Sequence, residues 1–193
     1  MHNHLPCDGE VYLMEDFISM ESAANLMDQL INEAPWRSDM ICMFGKNILV
    51  PRLTAFYGDQ GIQYKYSGLQ MEALAWIPIL NVIRAEIENT ANHTFNSVLI
   101  NYYRSGFDYV SWHADNEKEL GHEPVIAMLS LGVERMLQFR YAKDNRKKVN
   151  VSIPDRSLLL MRGTTQQHWQ HQLKRQPSIT QMRISLTFRM IYR

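Results

Sequence analysis

At 193 residues, with 46% hydrophobic and 21% charged side chains, the chain has the size of one globular domain with a substantial core, and its composition excludes intrinsic disorder. Lysine plus arginine balances aspartate plus glutamate, 20 against 20, so a polyanionic partner has to be held by a local basic patch rather than by the field of the whole molecule. Cys7 and Cys42 are too few for a disulfide framework or a thiolate zinc site. The opening Met1-His2-Asn3-His4 lacks the charged-then-apolar pattern of a signal peptide, and no apolar run has the length of a bilayer span. The expected setting is a reducing intracellular compartment, cytoplasmic in a bacterium and nuclear in a eukaryote, with no membrane contact and a monomeric state.

In chain order, Ala23, Leu26, Met27, Leu30 and Ile31 recur at helical spacing behind Ser19, an N-cap residue type, and the segment stops near Pro35. Trp76, Ile79, Leu80, Ile83 and Ile87 repeat the pattern, with Pro78 suited to a first helical turn. From Ser97 onward the pattern changes. Short runs at Val98 to Tyr103, Val125 to Leu131, Met136 to Tyr141, Val149 to Ile153 and Leu158 to Met161 are separated by turn residues and predict antiparallel strands. In the last run Ile184, Leu186, Phe188 and Met190 alternate with Arg183, Ser185, Thr187 and Arg189, one face apolar and the other polar. Two helices beside many short strands predict an α+β, mainly β fold, in which helices cover the outside of a sandwich or jelly roll whose mouth can hold a ligand. The sequence contains no internal repeat or low-complexity tract.

His113-Ala114-Asp115 brings an imidazole and a carboxylate to one side of an extended segment, where they either bind a metal or form a surface hydrogen-bonding pair. A third ligand is available 58 residues downstream at His171, with His168 as a rival; in an extended segment those two face opposite ways. Two histidines and one carboxylate leave three positions open on an octahedral ion, the arrangement by which non-haem iron oxygenases admit a co-substrate and oxygen. Arg183 and Arg189, six apart on a strand of period two, project from the same polar face and require anions if that face points inward. A dicarboxylate such as 2-oxoglutarate fits, because a planar guanidinium clamps a carboxylate through two parallel hydrogen bonds. Asn101 and Tyr103, two apart on their own strand, offer further donors. A zinc hydrolase would use the three metal ligands but has no need of the two arginines.

Taken together, Leu99-Ile100-Asn101-Tyr102-Tyr103, His113-Ala114-Asp115, His171 and Arg183-Ile184-Ser185-Leu186-Thr187-Phe188-Arg189 resemble the AlkB family of nucleic-acid dealkylating dioxygenases in order and spacing. The likeness extends upstream through Pro51-Arg52, Tyr57-Gly58-Asp59, Tyr64-Lys65-Tyr66-Ser67-Gly68 and Trp76-Ile77-Pro78, and within the family it points to the animal members that act on DNA, above all the one that works on duplexes. The resemblance implies a double-stranded β-helix (jelly-roll) core flanked by N-terminal helices. It also implies one dioxygenase domain over 1–193, with a nucleotide-recognition region at about 36–70 and a catalytic core at about 95–193. His113, Asp115 and His171 would hold Fe(II), while Asn101, Tyr103, Arg183 and Arg189 would hold 2-oxoglutarate, Arg183 at the distal carboxylate and Arg189 nearer the metal ligands. The implied reaction consumes 2-oxoglutarate and O2 and restores N-alkylated bases in DNA, duplex and also single-stranded, with release of succinate, carbon dioxide and formaldehyde. A related oxygenase acting on RNA or protein, or an inactive binder of alkylated DNA, shares most of these residues.

Such chemistry needs a base flipped out of the stack into an aromatic-lined pocket. Tyr64 and Tyr66 occupy the matching segment, Tyr66 at the position where the family stacks an aromatic on the base and where the duplex-acting member has phenylalanine; core packing is the alternative for both. Asp115 and Glu117 would place negative charge beside a cationic lesion, and Asn116 stands where that relative has a second aspartate. Met43-Phe44-Gly45-Lys46 resembles the hairpin tip that fills the vacated stack, and also fits a buried strand ending in a glycine turn. Arg140, Lys143, Arg146, Lys147 and Lys148, in what reads as a hairpin loop around Asp144-Asn145, would meet phosphates, with Arg52 as a further substrate contact on the DNA backbone.

Overall fold

The computed structural model describes residues 1–43, 46–66 and 69–192, and of residues 41–43, 46–48, 65, 66 and 69 it describes the backbone alone. Strand β1 (Glu10–Met14) precedes helix α1 (Met20–Glu33). The Ser19 hydroxyl accepts the Ser22 N–H at 3.0 Å, and Ala23, Leu26 and Leu30 form the buried stripe of α1. The hairpins β2 (Met40–Met43) with β3 (Lys46–Leu49), and β5 (Gln63–Tyr66) with β6 (Leu69–Glu72), flank β4 (Leu53–Gly58). Helix α2 (Pro78–Ala91) begins with its proline in the first turn and ends where Asn92 takes the left-handed conformation at φ 47°.

From β7 (Ser97–Tyr103) onward successive strands are dealt between two sheets: β8 (Val110–His113), β9 (Ile126–Gly132), β10 (Arg135–Tyr141), β11 (Asp144–Ile153), β12 (Ser157–Arg162), β13 (Trp169–Leu173) and β14 (Arg183–Arg189). One sheet has the order β1-β12-β9-β14-β7-β4 and the other β11-β10-β13-β8, a jelly roll with antiparallel pairing throughout. Helices α1 and α2 supply one side of the core between helices and large sheet, and a second core of Leu5, Leu137, Phe139, Leu159 and Trp169 lies between the sheets. On the outer face of the small sheet Gln172, Gln138 and Asn150 stand abreast on three strands and are tied amide to amide, at 2.8 and 2.9 Å.

The alternation in β14 survives folding with a change of meaning. Ile184, Leu186 and Phe188 pack toward the helices, Arg183, Ser185, Thr187 and Arg189 line a cavity between the sheets, and all 7 residues are buried. No face of this strand meets open solvent, because β14 sits between β9 and β7 with helices behind it.

Several elements differ from the sequence expectation. The large sheet draws both its edges from the N-terminal half, β1 and β4, so the jelly-roll body is not confined to about 95–193. Strand β11 starts at Asp144, five residues before the apolar alternation of Val149, Val151 and Ile153. The turn is therefore at Ala142 and Lys143, and Arg146, Lys147 and Lys148 lie on a strand rather than in a hairpin loop: Asp144 pairs with Tyr141 and Lys148 with Arg140, and residues 145–147 bulge between those two pairs in a charged run with no strand signature of its own. One helical turn, α3 (Thr165–His168), stands where an extended segment was expected.

Leu186 is fully buried in the middle of β14. Leu186→Ala is expected to cost about 3 kcal/mol through lost burial and the cavity left behind, read as a lower urea midpoint at unchanged slope.

Candidate active site

Strands β8 and β13 are neighbours, and their register sets His113 opposite His171 with ring centroids 4.2 Å apart. Asp115 lies two residues beyond the end of β8 and turns its carboxylate toward both rings, Oδ1 being 3.9 Å from His113 Nε2. One ligand atom from each of the three residues lies within 4.8 Å of the others. The His113 Nδ1 is 2.8 Å from the Ser111 carbonyl oxygen. A carbonyl only accepts, so Nδ1 carries the proton and Nε2 presents its lone pair to the cluster.

Asp115 is fully buried, and its two oxygens have different surroundings. Oδ2 accepts from Arg189 through Nη2 at 2.8 Å and Nε at 3.2 Å, whereas Oδ1 has no hydrogen-bond donor among the described residues. A buried orphan carboxylate oxygen beside two imidazoles is a set of acceptors with nothing to accept, which a cation satisfies. Burial pushes the Asp115 carboxyl up, but Arg189, followed by the two histidines, outweighs it and brings it to about 2. Burial, helped by His113, lowers His171 to about 3. At neutral pH the cluster is therefore one carboxylate and two neutral imidazoles, the protonation state a divalent metal requires. The residues present fit Fe(II).

Arg183 and Arg189 share a face of β14 but not a situation. Burial would depress Arg189, yet the adjacent Asp115 raises it above the ordinary arginine range. Arg183, 1% exposed, has no carboxylate partner among the described residues: Nε donates to Ser130 Oγ at 3.0 Å, Nη2 rests 3.8 Å from Met128 Sδ, and the Tyr103 ring lies 5.4 Å away. Burial lowers it to about 10. Both arginines, the His-Asp-His cluster, Asn101 and Tyr103 open onto one cavity. The Asn101 Oδ1 accepts from Arg52 Nε at 2.7 Å, so the side that Asn101 offers to a ligand is its amide N–H pair. The donors thus available fit a dicarboxylate anchored at Arg183.

Other expected site residues fall differently. Arg52 is 6% exposed and lines the cavity behind Asn101, so it is not an outward contact to a DNA backbone; its guanidinium is spent inside the sandwich. Tyr64 is buried, with its ring 5.5 Å from the Arg189 guanidinium. Burial, then the neighbouring Asp115, raises the Glu117 carboxyl. The side chains of Met43, Lys46 and Tyr66, and all of Phe44, lie outside the described residues. Along β11, Arg146 is engaged by Asp144 at 3.0 and 3.2 Å, Lys147 reaches Cys7 Sγ at 2.9 Å and covers Tyr141 at 5.2 Å, and Lys148 is exposed. His168 closes α3 and stacks on Tyr141 at 6.3 Å, away from the cluster. Two residues with direct bonds to this site carry no sequence signal: Ser130 under Arg183, and Gln166, whose Oε1 accepts the Asp115 N–H at 2.9 Å.

Comparison with known proteins agrees with this geometry. A family model described as the 2OG-Fe(II) oxygenase superfamily matches residues 10–189. The alpha-ketoglutarate-dependent dioxygenase alkB homolog 3 of Mus musculus is 36% identical over 191 residues, covering 94% of this chain and 66% of the relative. The DNA oxidative demethylase ALKBH2 of Homo sapiens is 40% identical over 157 residues, covering 77% and 60%. The chain thus spans about two thirds or less of the length of these relatives. Among solved structures, OsALKBH1 aligns with a TM-score of 0.66 at 12% identity, covering 93% of this chain and 96% of that one. A prolyl hydroxylase from Trichoplax adhaerens aligns with a TM-score of 0.65 at 12% identity, covering 94% and 83%. At that identity the two structures attest the jelly roll alone. The AlkB resemblance read from the sequence is matched by the named relatives, and with the family model running from β1 through the last residue of β14, the chain belongs to the 2OG-Fe(II) oxygenase superfamily.

Proposed function

We propose that the protein is an Fe(II)- and 2-oxoglutarate-dependent dioxygenase that removes alkyl groups from N-alkylated bases of DNA, such as 1-methyladenine and 3-methylcytosine. The observation that carries the reading is the juxtaposition, in one cavity, of a His-Asp-His cluster with a carboxylate oxygen unsatisfied among the described residues and a buried arginine that meets no carboxylate among them. A zinc hydrolase would account for the first and leave the second without a purpose. DNA is the substrate class favoured because the human relative is itself named a DNA oxidative demethylase.

In this mechanism His113, Asp115 and His171 would hold the iron. Arg183 takes the far carboxylate of 2-oxoglutarate, with Tyr103 and the Asn101 amide beside it. Arg189 keeps Asp115 ionised and its Oδ1 on the side of the two imidazoles, where it would serve as a metal ligand. Bound there, iron, 2-oxoglutarate and O2 would supply the oxidation of one C–H of the N-alkyl group to C–OH, the keto acid being consumed to succinate and carbon dioxide. The hydroxyalkyl group then loses its C–N bond, its hydroxyl proton passing to solvent as the base nitrogen recovers the electron pair, and formaldehyde departs. Alkylation at adenine N1 or cytosine N3 makes the base cationic, and the carboxylates of Asp115 and Glu117 favour that cation over the neutral parent. Arg146, Lys147 and Lys148 on β11 meet the phosphates of duplex DNA, and Met43 and Phe44 fill the gap left by the flipped base while Lys46 meets a phosphate.

With Fe(II), ascorbate, 2-oxoglutarate and an oligonucleotide bearing 1-methyladenine or 3-methylcytosine, succinate and repaired base are expected to form together, measured by mass spectrometry. Repair that continues without 2-oxoglutarate refutes the reading.

Arg183→Met removes a buried charge that lacks a carboxylate, so the ligand-free variant is expected to melt no lower than the wild type. The wild type, in Mn(II), should gain about 2.7 kcal/mol at a 2-oxoglutarate concentration a hundredfold above its Kd, and the variant should gain nothing. Differential scanning calorimetry with and without ligand measures both.

For duplex recognition, Lys147→Ala with Lys148→Ala should raise KM for duplex substrate, flatten its salt dependence by about two phosphate contacts and leave kcat near wild type. Phe44→Ala should lose more activity on duplex than on single strand; equal losses would remove the wedge.

A further inference from the structure

Gln166 is 2% exposed and has no part in the reaction as described. Its Oε1 accepts the backbone N–H of Asp115 at 2.9 Å, and its Nε2 rests against Met161 Sδ at 3.4 Å. Asp115 lies past the last residue of β8, so no strand ladder fixes its main chain. Arg189 holds one end of the residue, the side-chain Oδ2, and Gln166 holds the other, the main-chain N–H. The direction of Oδ1 follows from both.

Gln166 in turn stands on α3, a helix of 4 residues whose N-cap Thr164 makes no side-chain capping bond. So short a helix does not hold its own shape in isolation. Besides the Gln167 amide, which donates to the His122 carbonyl at 2.8 Å, and the Ala142 N–H, which donates to the His168 carbonyl at 2.8 Å, it has supports from the far end of the sequence. Thr165 Oγ1 accepts the Glu10 N–H at 2.8 Å, Trp169 at the start of β13 donates Nε1 to the Cys7 carbonyl at 3.0 Å, and the Tyr141 hydroxyl donates to Asp8 at 2.7 Å. Asn3 closes the N-terminal segment on itself: Oδ1 accepts the Leu5 and Val11 N–H groups at 3.1 and 2.9 Å, and Nδ2 donates to the Gly9 carbonyl at 3.0 Å. The fit leaves no slack at Gly9. Its φ is +151°, and a Cβ there would lie 2.8 Å from Thr165 Oγ1 and 2.9 Å from Thr165 Cα.

We propose that residues 3–11 form a positioning clamp for the metal centre, holding Thr165 and Trp169 so that Gln166 fixes Asp115 and β13 presents His171. The clamp rests on the reading of His113, Asp115 and His171 as metal ligands. Gln166 is a positioning residue, since its bond is to the main chain of a ligand. Loss of such an outer partner typically weakens metal binding about 10- to 100-fold.

The test is an anaerobic titration of the full chain with Co(II), followed by its visible absorption, at a temperature well below the melting transition of every variant. The wild type is expected to bind with the spectrum of a site of mixed nitrogen and oxygen ligands. Gln166→Met removes the acceptor at similar volume and should weaken Co(II) about tenfold or more, with a shifted band envelope. Gln166→Glu keeps an oxygen acceptor at the same place and should bind as tightly as wild type or tighter. Gly9→Ala, distant in sequence from every ligand, should weaken Co(II) in the same direction by a smaller factor, and it carries the comparison if Gln166→Met fails to fold. A folded Gln166→Met or Gly9→Ala with wild-type affinity and spectrum overturns the clamp. Absence of Co(II) binding by the wild type itself would instead remove the ligand assignment beneath it, an outcome seen before any variant is made.

Discussion

The contact between Arg189 and Asp115 sets the terms for everything around it. Both groups are removed from water, and each would be untenable alone: breaking a buried pair of this kind by deleting one partner costs on the order of 3–5 kcal/mol. The pairing uses one carboxylate oxygen and leaves the other facing two imidazoles, so the ion pair both stabilises the interior and aims a ligand. It also distinguishes two arginines that look equivalent in sequence. Arg189 has its counter-charge within the protein, whereas Arg183 must find one in what the cavity admits. That difference leaves Arg183 as the cation that an anion entering the cavity would meet.

Much of this arrangement was legible in the residues. Period two in β14 placed both guanidiniums on one face, and the helical repeats behind Ser19 and around Pro78 placed α1 and α2. The positions that escaped share a physical cause: their structure is imposed by partners distant in sequence. Strand β4 is buried nearly throughout and so shows no alternation, β11 begins in a charged, bulged run that carries no apolar alternation, and α3 is too short to leave a periodic trace. His168 turned away from the cluster as expected, but through a helical turn and not through the two faces of a strand. Ser130 and Gln166 belong to no motif; register and topology bring them to the site, and neither can be read locally.

The N-terminal half, which sequence reading set aside from the catalytic body, completes that body. Strands β1 and β4 close the two edges of the large sheet, leaving the inner strands β12, β9, β14 and β7 paired on both sides. An interior that holds two guanidiniums and a carboxylate gains from such closure, because local opening that admitted water would weaken the electrostatic contrasts on which the cavity depends.

The row of amides from Gln172 through Gln138 to Asn150 has a consequence for alignment. Side chains on a strand change sides at every residue, so sliding β13 by a single position would turn His171 out to the solvent and bring a glutamine amide into its place. Three polar groups on the wet side, each bonded only when the strands stand in one alignment, penalise that slip. The exterior of the small sheet thereby acts as a ratchet for the orientation of an imidazole on its opposite side.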